Sequence, residues 1–557
     1  MKSIFSRVIL ALIFSSFTAV YSIESFTDTE VVARRVGVIL TFIISFYLLK
    51  KYDLRKQLEN YKQFTSMQKI LISMASLLCT LPLVRNMILF ITANQFTIEE
   101  FIQNRNFILM IVLVFIIGFI NFFIIWYVVI KLCGRRVLLF FKSFNTFEKG
   151  VLYLYVVTFA IINFIIVRST NAFVYPLLDG KIVYDAVLSL DTSFLTGGMD
   201  GIDVFSSPSS YENDIRHILF GIISLPLAMI CMPLSYAMGL LLVSGDFHFV
   251  TWNYTSVTLY GYMISIGQAF LFALSGILIY KMLRHELSDQ LSKLFVMFYL
   301  VAYSTLLFTM AVEQYAVVTF TLILFVYVFV KNLDSKNTYI ISSLTLTSSF
   351  AMLPFAVLDR KIDFKAIFKN LMYIAAVTLV ACIYFGQLAE LIRTVSTLRM
   401  LSQFADVDSL SYTDKFIQFI EFIPNIFIAP DVVFLEGWVR VANQGNGYKI
   451  AGIVLLLFTI YSMLANKQTK LALISSYWVM ISFILLVIIG WGSVQRSMFL
   501  YTPYFGWAFL ILIALGFTKL FGDRIVGKLI LAVIIISVAF YNALEFASYV
   551  TNVGPFR

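Results

Sequence analysis

Residues 107–131 read FILMIVLVFIIGFINFFIIWYVVIK, a run whose first charged residue is its last, Lys131. A helix rises about 1.5 Å per residue, so a run of this length crosses a hydrocarbon core of about 30 Å. Its apolar residues do not alternate with polar ones, which excludes a transmembrane barrel strand. The flanks differ in charge. Residues 94–106 carry Glu99 and Glu100, whereas 131–149 carry Lys131, Arg135, Arg136, Lys142 and Lys149. Short basic loops stay in the cytoplasm, so this helix is expected to run inward.

The same pattern recurs on both sides. Run length gives further spans at 4–22, 31–50, 68–93, 150–168, 254–283, 294–312, 315–332, 369–390, 449–465, 471–490, 498–520 and 528–548. The expected fold class is all-α, a polytopic integral membrane protein with about 13 transmembrane helices plus partial elements. Two runs resist a straight crossing. Residues 215–243 contain Pro226 and Pro233, and a crossing there would put the basic segment 281–293 outside, so this run is expected to enter and return on the outer side. Residues 339–357, with Pro354 and basic loops on both flanks, are read as another hairpin that does not cross. Lys2 and Arg7 precede a first helix read as retained, which leaves the N-terminus cytoplasmic and the C-terminus outside. A plain N-terminal block, 1–149, precedes a module, 150–557, that carries two large outer loops at 169–216 and 391–449.

Composition narrows the function classes. The chain is 60% hydrophobic and 13% charged, and its net charge of +10 sits in short loops between apolar runs, so no nucleic-acid partner is expected. Cys79, Cys133, Cys231 and Cys382 lie far apart in or beside apolar runs, and His217, His248 and His285 are equally scattered; neither a disulfide framework nor a zinc site is implied. The P-loop, GxGxxG, GxSxG and HExxH patterns are missing, which argues against a reaction driven by soluble nucleotide.

Polar chemistry collects in the outer loops. Asp179, Asp185 and Asp191 recur at even spacing in the first loop, flanked by apolar stretches (VYPLL, IVYDAVLSL) that should pack on the bilayer surface. A partly desolvated carboxylate there has a raised pKa and can act as a general base; alternatively Asp185 and Asp191 hold a divalent cation through oxygen ligands. Asp191 ranks first and Asp185 second. Asp179 precedes Gly180 in LLDGK, a turn signal, and ranks third. Arg216 and His217 open the next apolar run as interfacial anchors or as phosphate ligands. Glu313 and Gln314 press into the membrane boundary between two spans (FTMAVEQYAVVTF), where an acid needs a partner or a task. Arg496, in the outer turn GWGSVQR, opposes the charge trend and suits the phosphate of a lipid headgroup.

Taken together the layout resembles the C-type glycosyltransferase (GT-C) superfamily, which includes protein O-mannosyltransferases and lipid A aminoarabinose transferases. The matching features are the Asp-bearing first outer loop, His217-Ile218-Leu219-Phe220, and a run ending Tyr280-Lys281-Met282-Leu283-Arg284. The acidic turn at Glu313-Gln314, the second outer loop, and the Arg496 turn ahead of Leu500-Tyr501-Thr502-Pro503 complete the likeness, which covers about residues 150–548. The resemblance implies a polyprenyl-phosphate-linked sugar donor and a glycan, lipid or protein acceptor outside the cytoplasmic membrane. It implies an Asp as general base or metal holder, and Arg216, Arg496 and His217 on the phosphate. Readings of other classes are a transporter or flippase of lipid-linked saccharides, which would need charged residues in mid-helix and broken helices, and an O-antigen-type polymerase or ligase.

Overall fold

In a computed structural model the chain is almost entirely helical, with two short antiparallel hairpins. The structure describes residues 2–21, 28–51, 60–93, 105–170, 177–178, 181–182, 254–310, 315–331, 379–384, 410–435, 438–442 and 444–553. Single helical positions at 227, 230, 231, 234, 238, 372, 375, 376, 388 and 392 are also described.

Four helices begin the chain: α1 (Lys2–Tyr21), α2 (Asp28–Lys51), α3 (Ser66–Ala93) and α4 (Arg105–Val129). Each falls within a few residues of an apolar run read from the sequence. α1 packs on α2 and α4, and α3 on α4. Asn121, the amide in the middle of the α4 run, bolts them together. Its Nδ2 donates to the Ile117 and Ile13 carbonyls (2.8 and 3.3 Å), and its Oδ1 accepts from the Tyr384 hydroxyl at 2.6 Å.

The expected basic loop 131–149 is largely helical. A π-helix, Ile130–Gly134, carries α4 into α5 (Arg135–Lys142). The α5 sequence RRVLLFFK leaves Val137, Leu138 and Leu139 exposed while Phe140 and Phe141, with Phe144 just beyond the helix, pack against the core. A helix of this kind, apolar on one side and basic at its ends, suits a membrane interface better than water. Helix α6 (Thr146–Thr170) opens on a reciprocal cap: the Asn145 side chain accepts from the Glu148 amide, and the Glu148 carboxylate accepts from the Asn145 amide. Strands β1 (Leu177–Leu178) and β2 (Lys181–Ile182) pair beyond it. The run 215–243 is described only at Leu227, Ile230, Cys231, Leu234 and Met238, which are helical; Cys231 contacts the Met263 carbonyl.

Helix α7 (Tyr254–Leu283) matches its run end to end and packs against α6 and against α10 (Tyr315–Val330). Between them the expected straight span 294–312 is broken. α8 (Asp289–Val301) and α9 (Tyr303–Met310) meet at Ala302 with a 51° bend. No proline or glycine stands at the break; its backbone groups are satisfied from far away in sequence. Tyr303 and Ser304 donate their amides to the Phe427 and Ile426 carbonyls, and Asn542 Nδ2 donates to both the Val301 and Phe427 carbonyls (2.9 and 2.8 Å). Asn542 Oδ1 in turn accepts from the Ala429 amide.

The second expected outer loop, 391–449, is also more ordered than its reading. It contains α11 (Tyr412–Asn425) and the hairpin β3 (Val432–Leu435) and β4 (Trp438–Val441). Then come α12 (Asn446–Ala465) and α13 (Lys470–Phe483), which a π-helix, Ile484–Ile488, prolongs. A 3-10 helix, Val494–Tyr501, leads into α14 (Thr502–Phe521) and α15 (Ile525–Val553). α14 is the hub: 94% of its span is buried, against 22% for α15. Lipid-like surface covers the rest, since Ile450, Val454 and Leu457 of α12 and Val533, Ile536 and Phe540 of α15 are all exposed.

Among the described residues seven helices are long and apolar enough to cross a membrane, or eight if the bent α8–α9 pair is one span. Four shorter apolar helices accompany them. The chain is therefore a helical protein built for a membrane.

Candidate functional site

Two polar regions lie at opposite ends of the bundle. At one end the basic segments meet. Lys281 Nζ is 2.8 Å from Glu148 and lies over the Phe140 and Phe144 rings. The Tyr280 hydroxyl donates to Asp289, which also pairs with Lys293 at 2.6 Å and Arg284 at 3.5 Å. Lys331 meets His285, Lys470 donates to the Phe329 carbonyl, and Ser288 joins Asp523, itself paired with Lys528 at 2.8 Å. Lys528 and Ser288 hold the Asp523 carboxyl below the usual carboxylate range. Segments from five connections are thus stapled together, as the charge pattern expects of loops on one side. The pairs described here are all between protein groups.

The opposite end is built differently. Ser411 caps α11 by accepting from the Asp414 amide, and the helix reads YTDKFIQFIEFIPN. Lys415, Gln418, Glu421 and Asn425 recur at steps of three or four, which puts them on one face. That face is inside: the four are 2%, 8%, 4% and 3% exposed. Lys415 Nζ lies over the Tyr412 ring. Gln418, Glu421 and Asn425 line one recess with Phe422, Val441, Gln444, Met498 and Phe499. Lys449 Nζ stands 3.7 Å from Glu421 Oε1, longer than a charge-assisted hydrogen bond. Among the described residues Gln418 Oε1 and Asn425 Oδ1 are buried with no donor in reach. Each unpaired acceptor costs about 1–3 kcal/mol, and here two stand on one wall beside a carboxylate.

The surrounding structure holds this wall rigid. α11 crosses α12 so closely that a Cβ at Gly452 would collide with the Ile420 carbonyl. Gln444 fastens the hairpin base, accepting from the Asp431 amide and donating to the Asp431 and Ala442 carbonyls. The facing wall is the 3-10 helix, which carries Arg496. Gly490 and Gly492 at its entry both have positive φ (77° and 71°), and a Cβ at Gly492 would meet the Tyr501 ring at 2.6 Å.

The structure places the expected site residues as follows. Arg496 is on that 3-10 helix, against α11 and β4; its backbone alone is described. Asp185, Asp191, Arg216, His217, Glu313 and Gln314 lie outside the described residues, as does Asp179, which the β1–β2 pairing brackets. The residue after Gln314, Tyr315, packs on Tyr504 at 5.2 Å, and Tyr504 on Tyr501, which ends the helix bearing Arg496. The connection holding Glu313 and Gln314 therefore starts at the same end as Arg496. Among the described residues no group of three or more His, Cys, Asp or Glu could hold a metal ion. Gln418, Glu421 and Asn425 are absent from the sequence reading, although their three-four spacing in an apolar helix was the available signal.

Set against protein-family models, curated protein sequences and solved structures, the chain matches none of them.

Proposed function

We propose that this chain is a membrane glycosyltransferase of the GT-C kind, moving a sugar from a polyprenyl-phosphate-linked donor to an acceptor outside the cytoplasmic membrane. The observation that carries this reading is the buried carboxylate-and-amide recess of α11, set against the helix that bears Arg496 and away from the stapled basic end. The finer reading keeps about 13 crossings, a cytoplasmic N-terminus and the recess on the outer face. A donor already activated by lipid phosphate needs no nucleotide site. In this scheme Asp191 or Asp185 takes the proton of the acceptor hydroxyl, whose oxygen attacks the anomeric carbon, and polyprenyl phosphate leaves toward Arg496, Arg216 and His217. The test is transfer from defined undecaprenyl-phosphate sugars by the purified protein in lipid nanodiscs. Product with a wild-type chain, and a loss of about 10²–10⁴-fold in an Asp185→Asn/Asp191→Asn double variant, is the expected result. Absence of transfer with every donor overturns the reading.

The 51° break between α8 and α9 favours one second reading, a flippase of lipid-linked saccharides, because transport folds use interrupted helices. Movement of a labelled undecaprenyl-phosphate sugar across a proteoliposome without transfer would select it.

A further inference from the structure

The α11 recess has a chemistry of its own, whichever Asp does the proton transfer. Three side chains one to two turns apart, Gln418, Glu421 and Asn425, line one small recess. Gln418 Oε1 and Asn425 Oδ1 are buried and have no donor among the described residues. Acceptors call for donors. The recess as it stands takes one group of about water size, and Phe422, Val441, Met498 and Phe499 give it apolar walls beside Gln444. A cation fits poorly: there is one carboxylate, and the Lys449 ammonium 3.7 Å from it already supplies positive charge that would repel another. A neutral O–H donor suffers no such repulsion.

We propose that this recess is the sugar-recognition subsite: a ring hydroxyl of the transferred sugar enters it, donates to Glu421, and is ranked by Gln418 and Asn425, while the ring packs on the neighbouring aromatic wall. This rests on the saccharide-transfer reading above and adds the part of the chain that chooses the sugar. Glu421 is here a binding group, not the base, so its loss weakens recognition of the sugar more than of the lipid phosphate.

The experiment measures binding of undecaprenyl phosphate and of undecaprenyl-phosphate mannose, glucose, galactose, N-acetylglucosamine and aminoarabinose to the full chain in nanodiscs by native mass spectrometry. Wild type should prefer one glycosylated lipid over the bare phosphate. Glu421→Gln, Gln418→Leu and Asn425→Leu should each erase about tenfold or more of that preference while binding undecaprenyl phosphate as wild type does. Thermal melting of each variant checks that it is folded; Gln418→Met replaces Gln418→Leu if that variant is not. Variants that keep the full preference, in a protein that transfers sugar, overturn the subsite and leave the transferase reading intact. A wild type with no preference and no transfer overturns both.

Discussion

Glu148 and Glu421 are both almost fully buried carboxylates, 1% and 4% exposed, and they are held in opposite ways. Glu148 gives one oxygen to the Asn145 amide that starts α6 and the other to Lys281 at 2.8 Å. Glu421 has Lys449 at 3.7 Å and, beside it on α11, amide oxygens with no donor. A buried charge is expensive, and the first arrangement offsets that cost inside the protein. The second sets a longer ion pair beside two buried amide oxygens that have no donor among the described residues. Under the proposal above, the contrast separates a polar cluster that builds the fold from one that takes a ligand.

Substitutions can break that contrast, beginning with the largest effect. Glu148→Ala strands Lys281 and the α6 cap, and should cost about 3–5 kcal/mol. Glu421→Gln keeps the side-chain shape and an acceptor oxygen, and should cost less than Glu148→Ala, by about 1 kcal/mol or more. Equal losses in thermal melting would erase the distinction. Asn542→Leu comes next. It removes partners from the Val301, Phe427 and Ala429 backbone groups, and should cost about 3 kcal/mol by the usual cost of orphaned buried groups. A melting temperature near wild type would show that the helix break does not depend on it.

Gln418→Leu should act in the other direction. Replacing an amide whose buried oxygen has no donor by an apolar group of similar size should raise stability by about 0.5–1 kcal/mol while sugar binding falls, the trade expected of a functional site. Destabilisation would mean that Gln418 serves the fold, as Glu148 does. The smallest effect belongs to the exposed Asp523. Its carboxyl is held below the usual range by Lys528 and Ser288, so its contribution is whole above the unfolded value near pH 4 and fades as pH falls through the lower folded value. Melting of wild type should therefore drop slightly more than that of Asp523→Asn between about pH 6 and pH 3. Identical pH profiles would remove Asp523 from the staple.

Much of the helical frame was legible because a continuous apolar run reports itself: α7 was read end to end, and α4, α12 and α15 within a few residues. The convergence of the basic segments was legible from charge alone. α11 was hidden because 14 residues are too few for a span and Pro424 and Pro430 suggest a loop. Its inward polar stripe was the one signal present, and that stripe makes sense once its neighbours are in place. The bend at Ala302 had no local signal at all, since Ile426, Phe427 and Asn542 satisfy it from 122 or more residues downstream. Arg496 was singled out from its charge; the α11 amides were not singled out at all.

Synthesis order gives the Ala302 break another meaning. Its donor, Asn542, is 241 residues further along the chain than Val301. At about 5–20 residues per second the ribosome needs on the order of 10–50 seconds to deliver it. Through that interval the Val301 carbonyl of the bent pair is without its Asn542 donor in a setting where water is scarce, although α6, α7, α10 and α14 are already there to pack on the pair. α15 is then less a last span than the closing latch of biogenesis, and a chain truncated before it offers quality-control proteases an unfinished helix rather than a smaller protein.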